Sequence, residues 1–168
     1  MAGTDSARTT VTRIGVTGHR SIPATVLPVV RGGMRRRLSR PYGLEALSSL
    51  AAGADQLFAC IALDSGVPVT AVIPGMDYET NLGDDETQAA YRHLLKSCAS
   101  RVELPVEPTH EEAYFAAGRW IVDHADLLIA VWDGRPARGL GGTGDVVAYA
   151  RATGVPVTVL WRHGTRRE

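Results

Sequence analysis

Val11-Thr12-Arg13-Ile14-Gly15-Val16-Thr17-Gly18-His19-Arg20 is the stretch that decides the fold. An apolar, β-branched run stops at Gly18 and hands over to His19 and Arg20. Val26, Leu27, Val30, Met34 and Leu38 then recur at helical spacing. The order is strand, turn, helix. Such a turn presents backbone N–H groups and a guanidinium to an anion, and the helix N-terminus adds partial positive charge. A second glycine-rich turn, Gly139-Leu140-Gly141-Gly142-Thr143-Gly144, stands late in the chain, again between a strand and a helix.

The same alternation continues outward from this stretch. Leu44–Leu50, Val67–Ile73, Arg101–Leu104, Asp126–Trp132 and Val155–Trp161 read as further strands. Helical patterns fall between them: one from Leu57 to Ala62, one with Tyr91, Leu94, Leu95 and Cys98 inward, one through Ala113, Ala117, Trp120, Ile121 and His124, and a last one over Val146–Ala152. Asp85 with Gln88, and Thr109 with Glu112, are spaced as capping boxes. Pro28 inside the first helical pattern makes that helix start late or bend. The expected fold is an α/β, Rossmann-like three-layer α/β/α sandwich on a mostly parallel sheet of about six strands. One domain over residues 11–161 is expected, with a disordered leader at 1–10 and a frayed polar tail at 162–168.

Parallel strands joined by right-handed crossovers place their C-terminal ends on one edge, and ligands of such sheets bind there. The suggestive loops all follow strands: Thr17–Arg20, Ser48–Asp55, Pro74–Glu79 and Asp133–Gly144. The candidate ligand-binding residues are therefore Gly18, His19, Arg20, Gly53, Asp55, Asp133, Gly134, Gly141, Gly142 and Thr143. Gly18 is either a tight turn or part of the anion seat. Asp55 either caps the next helix, meets a ribose hydroxyl or holds the Gly18 loop. Asp133 is an Asx-turn residue or a ligand contact. Thr143 opens a helix whose first N–H groups lack intrahelical partners, so its hydroxyl caps the helix or touches the ligand. Asp145, next along, faces outward or serves as an acid or base; Glu79 is the other candidate catalytic carboxylate.

Composition excludes several classes. The 168 residues carry a formal net charge of zero, which gives no global field for nucleic acid or an anionic membrane. The arginines Arg31, Arg35, Arg36, Arg37 and Arg40 share one helix face, which is either solvated or a surface for an acidic partner. No apolar run is long enough to span a bilayer, and Met1–Thr10 lacks the apolar core of a signal peptide. Cys60 and Cys98 stand alone in helical patterns and read as reduced packing residues of a cytoplasmic protein. The five histidines are scattered without ligand spacing, so no metal is expected, and no cofactor. Neither a P-loop, nor a nucleophile elbow, nor a dinucleotide fingerprint in the first strand–helix unit is present.

Ile14–Arg20 as opening strand and turn, Ser48–Asp55 as second glycine loop and Ala125–Val157 as closing segment give the chain a resemblance. It resembles the Rossmann-like superfamily that joins the LOG proteins (often mislabelled lysine decarboxylases), the DprA core and the YpsA-type proteins, sometimes called SLOG domains. The resemblance frames Val11 to Trp161. It implies a nucleotide or nucleotide-derived ligand on the glycine loops, and frequently a homodimer. LOG enzymes hydrolyse the N-glycosidic bond of nucleoside 5′-monophosphates with a PGGxGTxxE motif. The local match here is Leu140-Gly141-Gly142-Thr143-Gly144-Asp145-Val146-Val147-Ala148, where Val147 and Ala148 occupy the acidic end. The leading expectation is thus a nucleotide sensor or carrier. A phosphoribohydrolase using Asp145 or Glu79 comes second, and a DprA-like partner of single-stranded DNA third. The expected partners are a nucleotide-like small molecule and a second copy of the chain, with no membrane, and with nucleic acid only on the third reading.

Overall fold

The computed structural model describes residues 10–40 and 42–167. The expected leader, apart from Thr10, lies outside them. Twelve elements follow in order: β1 (Thr12–Gly18), α1 (Leu27–Leu38), β2 (Leu44–Ser48), α2 (Ala54–Asp64), β3 (Val69–Gly75), a 3-10 turn (Glu79–Asn81), α3 (Asp85–Ser97), β4 (Ser100–Val106), α4 (His110–His124), β5 (Leu127–Val131), α5 (Thr143–Thr153) and β6 (Val157–Val159). The strands form one sheet in the order β4-β3-β2-β1-β5-β6, and every pairing is parallel. This is the Rossmann-like α/β arrangement the alternation implies.

Strand periodicity divides the core between the two faces. Ile14 and Val16 of β1, Ala46 of β2, Ala71 and Ile73 of β3, and Ile129 and Val131 of β5 face α1, α2 and α3, packing with Val30, Met34, Phe58 and Leu94. Leu47, Val72 and Leu128 point the other way, against Ala117, Ile121 and Val122 of α4 and Val146 and Ala150 of α5. The chain steps from β1 out to β4, then returns through α4 to place β5 on the free side of β1. The strand order therefore reverses between β1 and β5, whose registers run from Ile14↔Leu127 to Gly18↔Val131. Gly15 is needed on the way, since a Cβ there would stand 2.4 Å from Ile121 Cγ2 and push α4 off the sheet.

Several boundaries differ from the sequence expectation for local reasons. Pro28 sits in the first turn of α1, so the helix starts late and stays unbroken. Its arginine face is exposed, except that Arg37 is half-buried and donates to Gly33 O at 3.3 Å. The capping residue of α3 is Asp84, accepting from Thr87 N at 2.8 Å, one position before the expected Asp85. Thr109 caps α4 as expected, accepting from Glu112 N at 3.1 Å. Helix α5 begins at Thr143, three residues before its apolar periodicity becomes visible, because Gly144 and Asp145 carry no hydrophobic signal. Cys60 is exposed rather than packed; Cys98 is half-buried at the end of α3.

Beyond β6 the described residues make contacts to loops. Trp161 Nε1 donates to Thr165 O at 2.6 Å, and Arg167 Nη2 donates to Pro136 O at 3.0 Å. Among the described residues no helix is long and apolar enough to cross a membrane.

Candidate functional site

Gly18 ends β1 under compression. A Cβ would lie 2.4 Å from Ala54 Cβ and 2.7 Å from Val131 Cβ, so the start of α2 and the end of β5 both close on the strand here. His19 and Arg20 leave the sheet from this point. The His19 N–H donates to Val131 O at 3.0 Å, and its carbonyl accepts from Ala54 N at 3.2 Å. Gly53 makes the second contact possible. Its φ is +77°, and a Cβ would fall 2.4 Å from Arg20 O and 2.5 Å from His19 O. Gly53 thus holds the first loop against α2, one of the three roles considered for Asp55.

These strand ends surround a cavity of about 300 Å³ at the C-terminal edge of the sheet. It spans the reversal point, from the α5 side across β1 to the β2 and β3 side. Of the sequence candidates, Gly18, His19, Arg20, Asp55, Gly141, Gly142 and Thr143 line it. Gly53 stands behind the His19–Arg20 loop. Asp133, also behind, accepts from Arg135 N at 3.1 Å through Oδ1 in an Asx turn and pairs with His19. Gly134 is exposed at φ +82° and away from the lining. Neither candidate catalytic carboxylate reaches the lining. Asp145 Oδ2 accepts from Gly141 N at 3.1 Å, and Glu79 is ion-paired with Arg92 outside.

At the α5 end, the glycine loop lies against the start of α4. Gly141 has φ +84°, and a Cβ would stand 2.8 Å from Glu111 O and 2.9 Å from Phe115 N. Gly142 occupies the N-cap position of α5 with no side-chain cap bond, and both it and the buried Thr143, the first residue of the helix, line the cavity. Arg138 and Arg167 border the same end. Arg167 Nε is 3.5 Å from Asp133 Oδ2, a buried oxygen with no hydrogen bond.

His19 ties this end together. Its Nε2 accepts from the Asp133 N–H at 3.1 Å and lies 3.2 Å from Asp133 Oδ1; its Nδ1 is 3.5 Å from Thr143 Oγ1. The Trp161 ring meets it edge-on at 5.3 Å. Burial lowers the imidazole pKa, with Asp133 opposing and Arg167 and Arg138 reinforcing, so the ring is neutral at physiological pH. Burial by itself would raise the Asp133 carboxyl. The Arg135 N–H, His19 and Arg167 outweigh it and keep the group ionised.

The other end is aromatic. The Arg20 guanidinium lies 5.1 Å from the centroid of the Tyr114 ring, and Tyr78 meets Tyr114 and Tyr91 edge to face at 6.1 and 5.7 Å. Asp55, in the first turn of α2, shares this end. Burial pushes its carboxyl up to about 7, against the Ala51 backbone N–H and Arg20, which pull it down. The buried Tyr78 hydroxyl is held well above the usual tyrosine range by burial and next by Asp55. Sequence reading missed Tyr78, Tyr114, Arg138 and Arg167. Tyr78 and Arg138 stand in loops already suspected, but nothing local marks the other two. Among the described residues no cluster of three or more His, Cys, Asp and Glu side chains is placed to hold a metal ion.

No protein-family model matches the chain, and no curated protein matches it in sequence. Solved structures do match. DNA processing protein A (DprA) from Streptococcus pneumoniae aligns with a TM-score of 0.65 at 17% identity, over 89% of this chain and 50% of that one. DprA from Helicobacter pylori, described for its single-stranded DNA binding mode, aligns at 0.68 and 15% identity over 95% and 69%. The molybdenum cofactor binding protein of Rippkaea orientalis aligns at 0.58 and 17% identity over 89% and 76%. The chain has their fold. It spans about half the length of the pneumococcal protein. The architecture implied by the resemblance to the DprA core is the one observed, and in such sheets the crevice at the order reversal is where ligands sit.

Proposed function

We propose that this cavity binds a nucleotide or nucleotide-derived phosphorylated small molecule, and that the protein serves as a sensor or carrier. The observation that carries the reading is the polarity of one cavity. Two arginines, a neutral histidine and the N-terminal residues of α5 converge at one end, and Tyr78, Tyr114 and the Arg20 guanidinium at the other. The first end suits a phosphate, which takes charge-assisted hydrogen bonds from guanidinium and backbone N–H groups. The second suits a planar ring. A volume of about 300 Å³ lies at the small end of ligand cavities and favours a mononucleotide over a dinucleotide.

Proteins of this fold that bind molybdenum cofactor or single-stranded DNA support a binding role in general terms. Binding is favoured over hydrolysis because Asp145 and Glu79, the carboxylates a hydrolase would need, are spent on the Gly141 N–H and on Arg92. The test is a panel of nucleoside mono-, di- and triphosphates, followed by thermal shift and by chromatography for released base. The expected result is a saturable shift without base release, lost in Arg20→Ala. Base release from a monophosphate would make the protein a hydrolase, and no shift with any nucleotide would remove the reading altogether.

A further inference from the structure

Asp55 is the only acidic side chain lining the cavity among the described residues. It does not belong to the anion end. It stands where α2 begins, beside Arg20 and Tyr78, at the end whose walls are aromatic. A carboxylate there repels phosphate and attracts N–H donors. Its two oxygens lie side by side in one plane, so the complementary partner is a planar edge with two adjacent donors.

We propose that Asp55 selects the ring of the ligand, accepting from a ring N–H and a neighbouring exocyclic NH₂ of a guanine-type edge. The inference rests on the nucleotide reading above and adds its ring specificity. An adenine-type edge offers a donor beside an acceptor, so it would pair only with the protonated acid. A hypoxanthine-type edge keeps the ring N–H and lacks the amine, leaving one carboxylate oxygen unpaired in a desolvated place.

The charge state of Asp55 separates these rings. The groups facing it are the Arg20 guanidinium from the loop after β1, the Ala51 N–H from its own loop, and the Tyr78 hydroxyl from the loop after β3. Burial dominates, so the carboxyl is half-protonated near pH 7 in the empty cavity. A guanine-type edge favours the ionised form and releases a proton on binding. Its affinity rises with pH between about 6 and 8. An adenine-type edge gives the opposite slope. The His19 pKa is lowered from 6.5, which moves its titration away from the upper part of this window.

The experiment is calorimetric titration of the whole chain with guanosine, inosine, adenosine and xanthosine monophosphates at pH 6.5 and 8, for the wild type and Asp55→Asn. The wild type should prefer guanosine over inosine and adenosine monophosphate by at least about tenfold, the loss expected for a buried unpaired oxygen. The preference should widen at pH 8. Asp55→Asn should lose it and take xanthosine monophosphate at least as well, because the amide NH₂ donates to the 2-oxo group. Near-equal wild-type affinity for all four rings would refute ring selection by Asp55 and leave the nucleotide reading standing. So would a guanosine preference that survives in the variant. No binding of any monophosphate to the wild type defeats the nucleotide reading and this inference with it. Should the variant fail to fold, the wild-type ring preference and its pH slope decide alone.

Discussion

His19 Nε2 accepts the Asp133 backbone N–H at 3.1 Å while the Asp133 carboxylate stands 3.2 Å away, so one residue at the end of β1 is fixed by one just past the end of β5. Its Nδ1 stands 3.5 Å from Thr143 Oγ1 at the cavity lining, and the tautomer of the ring sets which of the two donates. The imidazole meets a ligand as a neutral ring.

This geometry has a pH signature. Because burial lowers the His19 pKa below its unfolded value near 6.5, the unfolded chain binds a proton that the folded one refuses. His19 thus makes the fold less stable as pH falls from 6.5 toward its folded pKa. Urea midpoints measured from pH 5 to 7.5 should show this slope, and His19→Asn should flatten it. A variant as steep as the wild type would assign the slope elsewhere.

Asp55 acts in the opposite direction. Its carboxyl is raised from 3.8 to about 7, so the folded state holds a proton that the unfolded chain has lost, and stability falls as pH rises from about 4 through 7. Asp55→Asn should stabilise the empty protein at pH 8 by roughly 1–3 kcal/mol, less than the full shift would give because the cavity admits solvent. At pH 4 the two proteins should melt together. Denaturation curves at the two pH values check this.

Gly53 and Gly66 contrast two positive-φ glycines, and Gly53, with ψ −119°, also lies outside the left-handed helical region. Both have positive φ, at +77° and +73°, yet a Cβ at Gly53 strikes the His19 and Arg20 carbonyls while one at Gly66 meets nothing within 4 Å. Gly66→Ala should cost about 1 kcal/mol, the left-handed penalty alone. Gly53→Ala should cost roughly 3 kcal/mol or more and displace the first loop. Equal losses in chemical denaturation would mean that the close approach at Gly53 relaxes freely.

Arg167 serves both binding and folding. It borders the cavity, contacts Asp133 Oδ2 at 3.5 Å and donates to Pro136 O at 3.0 Å. Arg167→Gln should weaken a bound nucleotide about tenfold, as loss of one charge-assisted contact does, and should also lower stability, because the buried Asp133 carboxylate loses its guanidinium. Titration alongside thermal melting distinguishes this from a purely structural role, which would lower the melting temperature and leave affinity intact.

The sheet was legible in the sequence because continuous apolar runs such as Leu127–Val131 have no helical alternative at that length. The gathering of the loops on one edge followed from parallel topology alone. Side-chain direction was not legible. Asp145 and Asp55 both sit in the first turn of a helix after a glycine, and only the packed structure shows that Asp145 turns back to Gly141 while Asp55 reaches the cavity. Tyr114 and Arg167 escaped for a different reason. They approach from α4 and from beyond β6, and sequence distance carries no sign of that convergence.

That convergence determines what a ligand does to the molecule. The cavity wall draws on residues from Val16 to Arg167, so no portion of the chain contains the pocket in miniature. Any local opening that frees β1, β5 or the segment after β6 also dismantles the binding surface. A bound molecule therefore acts as a clasp on the entire architecture, and its binding energy appears as protection against global rather than regional unfolding.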